Sequence, residues 1–240
     1  MLLILKNYSI ELINSQDLLI ILTNQIIRKN LLQLEIKLTQ LLLASGNPGK
    51  LFEMADLLAN LPIEVLTPQQ IELSIDVEES GATYAENAAI KAQAYARASG
   101  LLTLGDDSGL EVDALGGLPG IRSARFSPKP NATDAERRQI LLDQLMPHPR
   151  PWTARFRCTV AIATPHNELF FAQGECLGEI IPEERGENGF GYDPIFLIVE
   201  YGLTMAELST HTKNQISHRA RAIQAARPIL TKLITNTGET

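Results

Sequence analysis

Two aspartates stand side by side at Asp106 and Asp107, between Gly105 and Ser108-Gly109. They follow the apolar run Leu101–Leu104, which reads as a short strand ending at this polar stretch. Adjacent carboxylates at a strand end repel each other, and a divalent cation removes that cost. Mg²⁺ prefers carboxylate oxygens together with water and substrate phosphates. One of the pair could instead take a proton from an attacking water. The competing reading is an Asp-rich turn that caps its own backbone. A second cluster, Ser45-Gly46-Asn47-Pro48-Gly49-Lys50, puts small residues ahead of a helix N-terminus. Free amides and the helix dipole favour phosphate there, and Lys50 adds a positive point charge. It is neither a Walker loop nor a dinucleotide fingerprint, because Gly46 lies only four positions before Lys50 and no Ser or Thr follows the lysine. An ordinary strand-to-helix turn stays open as the alternative.

Two further clusters carry weaker signals. In Gly189-Phe190-Gly191-Tyr192-Asp193-Pro194 an aromatic between glycines has room to lie against a flat ligand, or else the segment is a tight turn with Phe190 and Tyr192 in the core. Lys213 with Ser217-His218-Arg219 can gather donors onto an anion or a carbonyl oxygen, or simply begin a basic helix. Glu78 and Glu79, before Ser80-Gly81, add carboxylates that read as a solvated loop when taken singly. His148, His166 and His211 lack metal-ligand spacing and read as surface residues.

Alternating strands and helices must position these groups. Gln40–Ala44 reads as a buried strand, and helical spacing follows over Lys50–Leu61. Ile63–Leu66 is extended. Thr83-Tyr84-Ala85-Glu86 fits a capping box that opens an alanine-rich helix to about Arg97, and Thr133-Asp134-Ala135-Glu136 opens another to about Leu145. Pro147, Pro149 and Pro151 force a loop. Arg155–Thr164 and Glu168–Gly174 read as a hairpin across Pro165-His166-Asn167, and a final helix spans about Ser217–Thr235. The alternation argues an α/β fold.

The 240 residues include 45% hydrophobic and 20% charged side chains, ordinary for a soluble globular protein. With 21 Lys+Arg against 28 Asp+Glu the formal net charge is −7, which argues against a general duplex binder but not against a small anionic ligand. Cys158 and Cys176 form no CxxC pair and read as buried thiols of a reducing compartment. Residues 1–40 hold no Gly or Pro, and no apolar run among them is longer than Leu18–Leu22, far short of a membrane span. They also lack the features of a signal peptide. Ser15–Gln40 has helical spacing, and residues 1–40 are expected to form an extension outside a catalytic domain of residues 41–236.

The ordered set SGNPGK (Ser45–Lys50), DDSGLEVDALGGLPGIRSARF (Asp106–Phe126), GFGYDPIF (Gly189–Phe196) and ISHRARA (Ile216–Ala222) closely resembles the Ham1-type inosine triphosphate pyrophosphatase family. Glu86-Asn87-Ala88 with Lys91, and Ala206-Glu207-Leu208, extend the resemblance over about Leu41–Thr235. It implies an elongated mixed sheet flanked by helices, with a cleft between two lobes. It implies Mg²⁺-dependent hydrolysis of ITP, dITP and XTP between the α and β phosphates by a cytoplasmic homodimer, without nucleic-acid or membrane partners. By position, Ser45, Gly46, Asn47, Pro48, Gly49 and Lys50 would hold the triphosphate. Asp107 would be general base and metal contact, Asp106 its support, Glu79 a second metal-site carboxylate, and Ser108 a substrate contact. Phe190, Gly191, Tyr192, Asp193, Lys213, His218 and Arg219 would form the base pocket. Arg122, Phe126, Gly105 and Ala220 depart from the family's commoner Tyr, Tyr, Ala and Gly. A Maf-type pyrophosphatase for pyrimidine or modified nucleotides, and a non-catalytic nucleotide-binding module, are the alternatives.

Overall fold

The computed structural model describes residues 2–6, 9–13 and 38–236. Two compact units result, Met1–Leu38 and Thr39–Thr240. In the first, β1 (Leu2–Lys6) and β2 (Ser9–Ile13) pair antiparallel. The helix expected over Ser15–Gln40 falls outside the described residues, except that Thr39 and Gln40 are extended. No helix among the described residues is long and apolar enough to cross a membrane.

In the second unit β3 (Thr39–Ala44) leads through the glycine loop into α1 (Pro48–Leu58). Pro48 sits at N1, where its missing N–H costs nothing, and the Asn47 side chain caps the Lys50 amide. After β4 (Ile63–Leu66) comes α2 (Tyr84–Ser99), opened by the Thr83–Glu86 capping box. Next are β5 (Leu102–Val112) and α3 (Asp134–Leu145), the latter opened by the Thr133–Glu136 box. The hairpin β6 (Trp152–Ala163) and β7 (Leu169–Ile180) follows, then the short strands β8 (Phe196–Ile198) and β9 (Leu203–Thr204). Helices α4 (Thr210–Ile216) and α5 (His218–Asn236) close the chain. The open seven-stranded sheet runs β4-β3-β5-β6-β7-β8-β9.

Strand β5 organises the molecule. It runs parallel to β3 from Leu41↔Leu102 to Ala44↔Gly105, and antiparallel to β6 from Thr103↔Ala163 to Val112↔Ala154. The sequence reading ended this strand at Leu104 and put the aspartates in a loop. They instead lie mid-strand, because β6 satisfies the backbone through the whole polar stretch. Past Gly105 the β3 side of β5 has lost its partner, since the chain turns away there as the glycine loop. A crevice opens at that parting. One hydrophobic cluster, including Leu41, Met54, Leu104 and Ile223, lies at one end of the long strands. Another, including Leu110, Leu141, Tyr192 and Phe196, lies at the other. Helix α5 lies directly on β7 at Gly174, where a Cβ would come within 2.3 Å of the His218 carbonyl oxygen. Only glycine there lets His218 and Arg219, in the first turn of α5, reach the sheet.

Candidate active site

The crevice holds a cleft of about 500 Å³. Lys50, Asp107, Ser108, Glu79, Phe190, Lys213, His218 and Arg219 all contribute to its walls, although they come from widely separated parts of the chain.

Successive strand residues face opposite sides of a sheet. The two aspartates therefore do not crowd each other, contrary to the side-by-side picture from sequence. Asp106 faces α1 and α5: its Oδ2 lies 2.9 Å from Lys50 Nζ and 3.7 Å from Arg219 Nε. Burial alone would raise its pKa, but Lys50, Arg219 and Lys91 outweigh that and hold the carboxyl well below its usual range. Asp107 faces α2, where Asn87 Nδ2 donates to its Oδ2 at 3.1 Å and Lys91 Nζ lies 3.9 Å from its Oδ1. Here burial prevails over Lys91 and Lys50, and the pKa is raised. One carboxylate is thus locked in its ionised form, and the other is the readier proton acceptor.

Glu79 resolves the ambiguity with its neighbour. Burial alternates along residues 71–80, so Ile75, Val77 and Glu79 turn inward while Glu78 is exposed. Glu79 Oε1 lies 3.3 Å from Lys91 Nζ, so Glu79 and Asp107 converge on the same ammonium. Among the described residues no group of three or more potential metal-ligating side chains gathers. Two carboxylates beside a phosphate cradle are nevertheless the donor set Mg²⁺ commonly takes, with water and phosphate completing its shell.

The glycine loop is partly self-satisfied. Ser45 Oγ accepts from the Asn47 amide at 3.2 Å, Asn47 Oδ1 accepts from the Lys50 amide at 3.1 Å, and Pro48 has no N–H. Among the described residues the loop therefore presents the Gly46 amide and the Lys50 ammonium to the cleft. Pro48 is exposed and, like Gly49, is not part of the cleft wall. Gly49 serves instead by its size, since a Cβ there would lie 2.6 Å from the Phe190 ring.

The third cluster splits as its two readings did. Phe190 is half-buried at the cleft, its ring 5.6 Å from the Arg219 guanidinium. Tyr192 is buried and its hydroxyl donates to the Ser123 carbonyl at 2.9 Å. Asp193 is buried and accepts from Lys213 Nζ at 2.8 Å. His218 stacks on Phe156 with ring centroids 4.8 Å apart. Burial first, then Arg219 and Lys50, push its pKa well down, so the imidazole is neutral. Arg219 is 2% exposed; it pairs with Glu53 through Nη1 and donates to Ser108 Oγ at 3.1 Å through Nη2.

Sequence reading missed Glu53, which lies 3.2 Å from Lys213 Nζ and pairs with Arg219. Its only signal was its place three residues after Lys50 on the same helix, hence on a neighbouring face. Lys91 and Asn87, quoted only as part of a resemblance, also prove to face Asp107. Arg122 is exposed and lies outside the cleft wall, and Cys158 and Cys176 are buried and free.

Known proteins resemble this chain in sequence and in fold. The Ham1 family profile matches residues 41–229. A dITP/XTP pyrophosphatase of Desulforamulus reducens is 46% identical over 195 residues, covering 81% of this chain and 96% of that protein. A Bacillus subtilis dITP/XTP pyrophosphatase is 39% identical over 195 residues, covering 81% and 98%. The solved structure of a HAM1 protein from Coxiella burnetii superposes with a TM-score of 0.73 at 41% identity, covering 81% of this chain and 99% of that one. By sequence and by architecture alike, this chain belongs to the Ham1 family.

Proposed function

We propose that the protein hydrolyses deaminated purine nucleoside triphosphates (ITP, dITP and XTP) to the monophosphate and pyrophosphate, clearing them from the nucleotide pool. One observation carries the reading: Lys50 and Asp107 line one cleft, with Asp106 ion-paired to Lys50 at 2.9 Å. A polyphosphate held by Lys50 and the Gly46 amide therefore lies within reach of a buried carboxylate of raised pKa.

In this reading Asp107 orients the attacking water and takes its proton as that water adds to the α-phosphate. Lys50 and the Gly46 amide stabilise charge on the departing pyrophosphate. Asp107 and Glu79 would hold Mg²⁺, which would neutralise phosphate charge and activate water. Phe190 provides a wall for the purine, with Lys213, His218 and Arg219 as donors nearby. Hypoxanthine and xanthine present a carbonyl at the six-position where adenine presents an amino group. A donor there leaves adenine mispaired, and a buried unpaired polar group costs about 1–3 kcal/mol.

The catalytic domain in this proposal is residues 41–236, with residues 1–40 outside it. The enzyme acts as a homodimer in the cytoplasm, where its two thiols stay reduced. The test is pyrophosphate release measured across ITP, XTP, GTP, ATP and dTTP, with and without Mg²⁺. Preference for ITP and XTP, lost without Mg²⁺, is expected. Preference for dTTP would overturn the reading in favour of a pyrimidine pyrophosphatase, and no turnover of any of them would favour a binding module.

A further inference from the structure

Phe190 sits between two glycines of positive φ, Gly189 at 82° and Gly191 at 64°. A segment so built has little stiffness of its own. Its position must come from what grips it. The Phe190 amide donates to Asp193 Oδ2 at 3.3 Å. The next residue is held from outside the loop: Asp134 Oδ2 accepts from the Gly191 amide at 2.7 Å, and Arg138 Nη1 donates to the Gly191 carbonyl at 2.7 Å. Both residues lie in the first turns of α3, four positions apart and hence on one face.

The grip is itself braced. Arg138, 9% exposed, forks onto Glu184 through Nε and Nη2, both at 2.8 Å. A bidentate pair of this kind fixes the guanidinium plane. Asp134 is paired with Arg137 through its other oxygen. The helix is anchored in turn by Leu141, Leu142 and Leu145 in the core and by its capping box. The fork fixes Arg138 on Glu184 and leaves Nη1 to hold the Gly191 carbonyl.

We propose that α3 positions the purine wall: Asp134 and Arg138 clamp both polar groups of Gly191 and so set where Phe190 meets the base. They are positioning residues that act through Phe190 rather than by touching phosphate. The inference rests on the reading of Phe190 as part of a base pocket; Asp134 reaches the cleft wall beside Gly191, whereas Arg138 stands behind it.

The full-length chain tests this by steady-state hydrolysis of ITP and ATP with Mg²⁺, alongside inhibition by inorganic tripolyphosphate, which has no base. Asp134→Ala and Arg138→Met each remove one jaw. With one hydrogen bond to a charged group lost, KM for ITP should rise about tenfold while kcat stays within about threefold, and the preference for ITP over ATP should shrink. The inhibition constant of tripolyphosphate should stay within about twofold of wild type, because the phosphate cradle is untouched. Asp134→Asn keeps an acceptor for the Gly191 amide and should recover most of the KM. Thermal unfolding run in parallel identifies a variant that fails to fold. If Arg138→Met does so, the partly exposed Asp134 pair carries the test. Unchanged KM in the folded variants, a parallel loss of tripolyphosphate inhibition, or an Asn variant no better than Ala would overturn the clamp. Each of those results leaves the proposed activity standing, whereas a wild-type chain inert toward every purine triphosphate would sink both.

Discussion

Replacing Asp106 by Asn removes the counter-charge of two cations in one step. Asp106 is 1% exposed, and its partners Lys50 and Arg219 have side chains 15% and 2% exposed. Solvent therefore screens the group poorly. Removing one partner of a buried ion pair costs about 3–5 kcal/mol. Asparagine keeps the shape and an acceptor, and Arg219 keeps Glu53, so the lower end, about 3 kcal/mol, applies. For a chain of this size each kcal/mol moves Tm by about 2–4 °C, so Asp106→Asn should lower Tm by about 6–12 °C. Differential scanning calorimetry without nucleotide measures this directly. Asp143→Asn on α3, an exposed carboxylate bonded to Gln139, is the control; surface changes usually stay within about 0.5 kcal/mol, so it should move Tm by less than about 2 °C. If Asp106→Asn melted within 2 °C of wild type, as the control does, Asp106 would not be the electrostatic anchor of Lys50 and Arg219.

Asp107→Asn should cut turnover by about a hundredfold or more while nucleotide binding, followed by titration calorimetry, is largely kept. Wild-type-like turnover in that variant would remove Asp107 from the role of base. Lys50→Ala should raise KM for ITP while leaving the preference for ITP over ATP intact, and equal loss of both would mean that the loop is no phosphate cradle. His218 is depressed below its ordinary value of 6.5, so the denatured chain takes up a proton there before the native one does. Its contribution to stability is therefore full above that value and declines as pH falls through it toward the folded pKa. Melting curves between about pH 7 and pH 5 should fall less steeply for His218→Gln than for wild type, and equal slopes would argue against a neutral buried imidazole. A chain beginning at Leu38 should keep its pyrophosphatase activity, and inactive but folded material would give residues 1–37 a catalytic part.

The elements with local signals were legible. The two Thr-x-x-Glu boxes marked helix starts because caps are short-range chemistry, and both helices begin there, whereas the helix read as starting at Lys50 begins two residues earlier, at Pro48 behind the Asn47 cap. The aspartate pair was found but misplaced. Gly, Asp and Ser favour turns, and only the distant β6 holds them in a strand. Opposite facing then followed from the strand itself, and it gave the two carboxylates different partners and opposite pKa shifts. Glu53 and the Asp134–Arg138 clamp left little trace in the sequence, since acidic and basic residues on helices usually face water. Their roles arise from contacts between elements far apart in the chain. Glu79 was chosen over Glu78 through the family resemblance alone, and what turns it inward is the burial alternation of an irregular segment, which no periodicity of a regular element announces.

Three cations of the cleft already have anionic company: Lys50 has Asp106, Lys213 has Asp193 and Glu53, and Arg219 has Glu53. A phosphate visiting any of these three thus exchanges with a resident carboxylate rather than meeting bare positive charge. Little condensed salt would be liberated by such a swap, so affinity should respond only weakly to ionic strength. Stray polyanions such as RNA, which gain most from undressed cations, would find small reward in this groove.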